Sequence, residues 1–582
     1  MDRLIGYFKL FKKTVGKRLY LILFLALVAA VFEGMGVSLF IPLLQGEKGP
    51  VTEVIKKFFS ILELPYSLLW ILLLAIIFFS LRTIFLIWTT EYHGRLTGAL
   101  LSKLREGLLS QLFQVDYGYF LSKELGYINN ALTVEINNVA FCFKLYVNVL
   151  TVAFFAAIYL FIALVVNLQV VTILCLLAVP GVYIAKKINS VVSRYSIEQS
   201  KHSAAFQTFL IQTLEKYKYL KATNSHRGVL NKIFAENNRL GDIIYRLRFW
   251  GGISEYGFLP MVVLVIGGIV YFSVEIMGRN IAEIVYFLFL IKQTSDRLIS
   301  SQVNYRKLLN HIGSISVLEK VEKELEQNEE HAGQLKVENF QEGIRFEDVD
   351  FWHEGKKPIL KNLNLQFSMG RMAGFVGHLG AGKSTIFNLI TGLLSPSRGD
   401  IKIGGVSYQD VDMEHLRRYI GYVTQEDVIF NDTVLNNITL WRDDIDLKKV
   451  KKIFDDFELE WFIRELPAGY DTVLGESGLK ISGGQRQIIF FVREMLKEPK
   501  ILLLDEFTSA MDAQSEERMI ALLEKIKKDK ILILISHRLS AIKQCDWIYM
   551  LENGQIIEEG TYENLYERKG KFHNLVDKQA LR

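Results

Sequence analysis

The sequence predicts a multidomain membrane protein: an all-α, six-helix transmembrane domain followed by an α/β domain built around a P-loop. Three observations predict this class. Up to about Ser301 the chain carries long apolar runs, and from about Gln334 onward charge and turn residues return to soluble levels. A strand, a glycine-rich turn and a helix start follow one another at Ala373 to Thr385. Two more aliphatic runs in the second half end in polar residues, as strands of a buried parallel sheet do at their ligand-bearing edge. At 582 residues the chain exceeds what one core usually supports. The expected division is a membrane domain over 1–316, a Glu- and Lys-rich linker over 317–333 and a soluble domain over 334–582.

Composition excludes little else. A net charge of +5 over this length makes no case for a nucleic-acid partner. The three cysteines, Cys142, Cys175 and Cys545, form no C-x-x-C pair, so neither a zinc site nor a disulfide framework is expected. The basic start of the chain runs into an apolar stretch too long for a cleaved signal, which predicts a first transmembrane helix that is retained.

Six spans are expected, at about Leu19 to Leu44, Leu64 to Thr90, Val139 to Val166, Val170 to Lys186, Tyr256 to Val274 and Ile281 to Ser301. Lys and Arg crowd the segment before the first span, whereas the connection after it mixes both signs, so the N-terminus is placed in the cytoplasm of a cell bounded by this membrane. Six crossings return the chain to the same side, which makes both termini cytosolic. The connections after spans three and five are very short. Those after spans two and four, about Glu91 to Asn138 and Lys187 to Glu255, carry apolar residues at helical spacing and read as helical hairpins that project from the bilayer and turn back.

Glu33, Arg82, Lys144, Lys292 and Arg297 interrupt the spans. A charge at mid-span costs roughly 2.5 to 3.5 kcal/mol on insertion scales, so each requires a partner or a wet cavity. Counted at about 1.5 Å per residue, Arg82 and Arg297 lie roughly 25 Å from the outer end and Lys292 roughly 17 Å. One reading makes Arg82, Lys292 and Arg297 a cationic lining for an anionic headgroup. The other pairs Glu33 with one cation and sends the rest to the inner interface.

In the second half, Gly377-His378-Leu379-Gly380-Ala381-Gly382-Lys383-Ser384-Thr385 fits G-x-x-x-x-G-K-[ST]. Backbone N–H groups of such a turn wrap phosphates, Lys383 neutralises the outer ones and the Ser384 hydroxyl suits Mg²⁺, all at the positive end of a helix. Ile501 to Leu504 ends in Asp505-Glu506, and Lys530 to Ile535 ends in Ser536-His537. Asp505 is suited to hold Mg²⁺ through a water, Glu506 to orient or deprotonate an attacking water, and His537 to contact the γ-phosphate. A second glycine turn opening a helix, Ser482-Gly483-Gly484-Gln485, offers another anion-binding start that no single nucleotide needs.

Taken in order, the phosphate loop, Gln425 in Tyr422-Val-Thr-Gln425, Ile481 to Gln485, Leu504-Asp505-Glu506, Ser509 to Asp512 and Ser536-His537 resemble the ATP-binding cassette of ABC transporters. Six spans ahead of one cassette resemble an exporter half-transporter. The resemblance implies a P-loop ATPase with ATP and Mg²⁺ as ligands. It implies Glu506, His537, Gln425 and Lys383 as catalytic residues, and Ser384, Gln425 and Asp505 at the metal. It also implies coupling helices near Tyr117 to Gly126 and Leu214 to Thr223, and an exporter-type loop at Asp471 to Gly478. Because one cassette is present, two chains are expected to pair, each phosphate loop facing the other chain's Ser482 to Gln485; the second chain is this protein or a related half-transporter. Where the family stacks an aromatic on adenine, the chain reads Phe351-Trp352-His353, leaving His353 or Trp352 as the donor. The expected activity is ATP-driven export or leaflet flipping of an amphipathic, anionic lipid-type or lipid-linked substrate across the cytoplasmic membrane. A drug or peptide exporter and an ATP-gated channel stand as alternatives.

Overall fold

The computed structural model describes residues 11, 15–42, 50–166, 168–257, 259–271, 275, 281–330, 333–352, 357–425, 428–475 and 481–580. The chain divides into two compact units. One contains Met1–Val115 and Tyr119–Glu329, the other Asp116–Gly118 and Glu330–Arg582.

The first unit is helical. Its elements are α1 (Arg18–Ser38), α2 (Pro50–Ile61), α3 (Leu68–Leu112), α4 (Tyr117–Ser122), α5 (Leu125–Asn130), a π-helical turn (Ala131–Glu135), α6 (Ile136–Val166), α7 (Leu168–Glu215), α8 (Tyr217–Ala222), α9 (His226–Tyr256), α10 (Leu259–Tyr271), α11 (Ile281–Asn310) and α12 (Ile312–Gln327). Among the described residues three stretches are long and apolar enough to cross a membrane: Arg18–Ser38, Leu68–Leu112 and Leu125–Val165. The other expected spans fall on α7, α10 and α11. With 45 and 48 residues, α3 and α7 are each about 70 Å long, far beyond a hydrocarbon core of about 30 Å. The projecting hairpins are therefore continuations of spans. Short helices α4 and α8 break the chain at the two stretches expected to contain coupling helices.

Helix α1 buries Ala26, Ala29, Ala30, Glu33, Gly34 and Val37. This stripe at helical spacing is made mostly of small residues, which let backbones approach closely where no water drives association. It packs against α3 and α6, and α11 packs along α6. The stretch expected to be a linker is mostly α12, whose Leu318, Val321 and Leu325 are buried within the helical unit.

The second unit holds two sheets. An antiparallel sheet has the order β2-β1-β4-β5, from β1 (Ile344–Phe351), β2 (Leu360–Phe367), β4 (Arg398–Ile403) and β5 (Val406–Ser407). The main sheet has the order β10-β9-β3-β8-β7-β6, from β3 (Met372–Gly377), β6 (Ile420–Val423), β7 (Ile501–Asp505), β8 (Ile531–Ile535), β9 (Trp547–Glu552) and β10 (Gln555–Gly560). It is parallel from β9 to β6, and β10 adds an antiparallel edge. Every residue of β3, β7 and β8 is buried, as expected of strands covered on both faces. The helices that matter to the site are α13 (Lys383–Ile390), α14 (Met413–Arg417), α15 (Val434–Thr439), α16 (Leu447–Asp456), α17 (Glu460–Arg464), α18 (Gly483–Met495) and α19 (Ala513–Ile526). Helices α15 to α18 share one apolar cluster that includes Val434, Phe454, Phe462 and Phe491.

Candidate functional site

The parallel register brings four strand ends to one edge of the main sheet. Val423 of β6 pairs with Leu504 of β7, and Asp505 of β7 pairs with Ile535 of β8. β8 in turn pairs with β3, which ends at Gly377. The residues just beyond these ends are the phosphate loop, Gln425, Asp505-Glu506 and Ser536-His537, separated by up to 160 positions in sequence. The sheet, not local sequence, makes them neighbours.

In the phosphate loop, Gly382 caps α13 with φ +105°, and a Cβ there would lie 2.6 Å from Leu360 Cδ2. Both the backbone conformation and the packing demand glycine. Buried Lys383 turns back over the loop, its Nζ donating to the carbonyls of Gly377 at 2.9 Å and His378 at 3.0 Å. Burial pushes the Lys383 ammonium below the usual lysine range, while Glu506 and Asp505 pull it back up. His378, Leu379 and Gly380 are exposed, Leu379 at 93%, and Ala381 is buried beneath them.

The carboxyl of Asp505 is raised above the ordinary range, first by burial and then by the neighbouring Glu506 charge; a hydrogen bond with Ser384 and the charge of Lys383 oppose the rise. Glu506 sits in the left-handed region at φ 51°, its N–H donating to the Ile535 carbonyl at 2.9 Å. A non-glycine residue held there stores backbone strain at the point where the carboxylate is aimed. Glu506 Oε2 accepts from Gln425 Nε2 at 3.0 Å, and Oε1 lies 3.3 Å from His537 Nε2. The structure therefore joins Glu506, Gln425 and His537 in one cluster, beside Lys383, Ser384 and Asp505. Such a carboxylate is oriented on both oxygens and suits the polarisation of a water.

The second glycine turn is a built helix start. Ser482 Oγ accepts from the Gln485 N–H at 3.2 Å, and Gln485 Oε1 accepts from the Ser482 N–H at 3.0 Å, a reciprocal capping box at the head of 13-residue α18. A Cβ on Gly483 would come within 2.7 Å of Ala510 Cβ. Glycine is thus what lets the segment before α19 press against this helix start. His353 and Glu476 to Lys480 lie outside the described residues; Trp352 is partly exposed, with its backbone N–H donating to Ser397 Oγ at 3.1 Å.

Three residues at this site escaped sequence reasoning. Gln487 Nε2 reaches the Glu506 carbonyl at 3.4 Å, its place one turn into α18 being the available signal. Arg493 is buried on the same helix, donating to the carbonyls of Asn437 at 2.8 Å and Val428 at 3.1 Å. Burial brings its guanidinium down to about 10. Asn437, buried in α15, holds Phe430 through both its N–H and its carbonyl.

In the helical unit, Glu33 is 3% exposed and lies between two arginines. Arg82 Nε is 2.7 Å from Glu33 Oε2, Arg297 Nη2 donates to Glu33 Oε1 at 3.0 Å, and the Tyr159 hydroxyl donates to the same oxygen. Both guanidiniums face the ring of buried Phe155. Arg82 and Arg297 are thus brought together, and Glu33 pairs with both rather than with one. Lys292 is exposed and does not join them, because depth along a helix says nothing about the direction a side chain faces.

Residues 360–509 match the family description ABC transporter, and residues 19–298 match ABC transporter transmembrane region. The chain belongs to the ABC transporters. Residues 19–298 supply its transmembrane region and residues 360–509 its cassette. Over 240 residues, 41% of the chain, it is 40% identical to an ATP-dependent lipid A-core flippase of Desulfotalea psychrophila. Over 299 residues, 51% of the chain, it is 34% identical to P-glycoprotein 14 of Caenorhabditis elegans. These matches span 42% and 22% of the relatives' own lengths. A bacterial Atm1-family ABC exporter solved with ATP bound has the same fold, with a TM-score of 0.80, 22% identity, and 98% of this chain and 99% of that one covered.

Proposed function

We propose that the transporter pairs with a second copy of itself and uses ATP to export or flip an amphipathic, anionic lipid-type or lipid-linked substrate across the cytoplasmic membrane, with both termini in the cytosol. Lys383 and the N–H groups of residues 377–385 hold the nucleotide phosphates, and Ser482 to Gln485 of the second copy complete each site. His353 or Trp352 stacks on adenine. The oxygen-only set of Ser384, Asp505 and Gln425 suits Mg²⁺. When bound, Mg²⁺ neutralises charge on the β- and γ-phosphates. Glu506 orients and deprotonates the attacking water, Gln425 and His537 fix its carboxylate, and Lys383 absorbs charge developing on the γ-phosphoryl group.

The observation that carries this proposal is the Glu506 carboxylate held from both sides beside Lys383 and Asp505. The substrate class rests on Arg82 and Arg297, whose side chains each remain 28% exposed around buried Glu33, and on the likeness to the lipid A-core flippase. The test is ATPase of the full chain in liposomes containing lipid-linked sugars, phospholipids or hydrophobic drugs. Stimulation by anionic lipids that falls in Arg82→Ala supports the substrate class. An unchanged response in that variant, or stimulation by uncharged drugs alone, removes it. Ion conductance persisting in Glu506→Gln would mark a channel instead of a pump.

A further inference from the structure

The cluster around Glu33 draws one carboxylate from α1, one guanidinium each from α3 and α11, and the hydroxyl and ring of Tyr159 and Phe155 from α6. Two guanidiniums against one carboxylate leave one positive charge in excess. Among the described residues no second carboxylate pairs with either arginine. The carboxylate is 4% exposed at its side chain, whereas both arginines keep 28%, so the excess charge is on the open side of the cluster and the compensating charge on the closed side. Gly34 beside it lets α1 approach α6 so closely that a Cβ would lie 2.3 Å from Ile158 Cγ2, and the Glu33 side chain is itself tied to Arg82, Arg297 and Tyr159. An unbalanced cation is expensive at membrane depth, and the arrangement lacks one negative charge per chain.

We propose that Glu33 is a specificity-determining residue that counts charge: by cancelling one of the two guanidiniums it sets the site to headgroups with a single negative charge per chain, such as a phosphodiester, and disfavours a doubly charged phosphomonoester. This rests on the anionic-headgroup reading above. A second negative charge would face the Glu33 carboxylate without a free cation to meet it, and like charges brought together in such a setting cost several kcal/mol in general. Phe155 adds a flat face against which both guanidiniums are held, which fixes their spacing. The Tyr159 hydroxyl is a neutral donor and orients Glu33 without altering the count.

The experiment measures lipid-stimulated ATPase of the full chain in liposomes at pH 8, titrating phosphatidylglycerol, a phosphodiester, against phosphatidic acid, a phosphomonoester with close to two charges at that pH. Wild type should respond at lower phosphatidylglycerol than phosphatidic acid. Glu33→Gln should move the ratio of half-saturating concentrations toward phosphatidic acid by at least about tenfold. Glu33→Asp and Tyr159→Phe should keep the wild-type order, which a merely structural role for Glu33 would not predict. The double variant Glu33→Gln with Arg297→Gln restores one excess charge and should return the wild-type order. Should Glu33→Gln fail to assemble, Arg297→Gln alone makes the cluster neutral, and the response to both lipids should fall at least about tenfold. A Glu33→Gln ratio equal to wild type, or an Arg297→Gln response equal to wild type, overturns the charge count. Wild type that ignores both anionic lipids brings down the headgroup reading itself, whereas stimulation by both that is lost in Arg82→Ala, with no shift in Glu33→Gln, leaves that reading standing and removes only the count.

Discussion

Replacing Glu506 by Gln separates binding from chemistry, and the geometry gives the size of each effect. The carboxylate has two acceptor oxygens, one facing Gln425 and one facing His537. The amide keeps a single acceptor, so one of these partners loses its bond or turns away. A lost hydrogen bond of this kind costs about 1 kcal/mol, which is less than a tenfold change in nucleotide affinity. Hydrolysis loses its base altogether, a loss of about 10² to 10⁴ in rate. The full chain in nanodiscs should therefore bind a fluorescent ATP analogue almost as wild type does while its steady-state phosphate release falls at least about 100-fold. Phosphate release within about threefold of wild type would refute the assignment of Glu506 as base. A parallel collapse of nucleotide binding would show instead that the variant had lost the phosphate cradle.

Four other outcomes follow from the same geometry. Gly483→Ala places a methyl 2.7 Å from Ala510 Cβ and should cut ATPase activity with little change in nucleotide binding, as phosphate release and analogue titration will report. Ser482→Ala removes half of the capping box and should cost about 1 kcal/mol, lowering the Tm by about 2–4 °C in a thermal scan. Because burial raises the Asp505 carboxyl in the folded chain, folding favours its protonated form. The stabilising share of that shift is complete at low pH and is lost as pH rises through the raised value, so at pH 7 Asp505→Asn should unfold at a higher temperature than wild type without nucleotide, the gain shrinking on acidification. The same variant should bind Mg²⁺-nucleotide more weakly. Finally, Lys383→Ala removes the ammonium that caps the loop carbonyls and should reduce nucleotide binding at least about tenfold in equilibrium titration.

The cassette was legible because its chemistry is written in short, backbone-governed stretches. A glycine at 382 answers to its own φ and to Leu360, and a carboxylate after four buried aliphatics answers to the sheet edge. The two hairpins were legible as well, since their apolar spacing continues from the spans into α3 and α7. The membrane cluster was only half legible. Arg82 and Arg297 stand out as charges in apolar helices, but their meeting at Glu33 spans 264 positions and depends on the rotation of each helix about its axis. The small residues flanking Glu33 on α1 were the unused clue, for they mark the face that packs. Lys292 failed to join for the same rotational reason. Arg493 was hidden differently: a basic residue on an amphipathic helix suggests a solvated face, and only the carbonyls of Asn437 and Val428 reveal an interior one.

That buried arginine has a mechanical consequence. Its fork ties α18 to the segment that follows Gln425, and Asn437 locks that segment to α15 through Phe430. Neither tie can yield without stranding a desolvated cation, so α15, α18 and the stretch that begins at Val428 move as one rigid block.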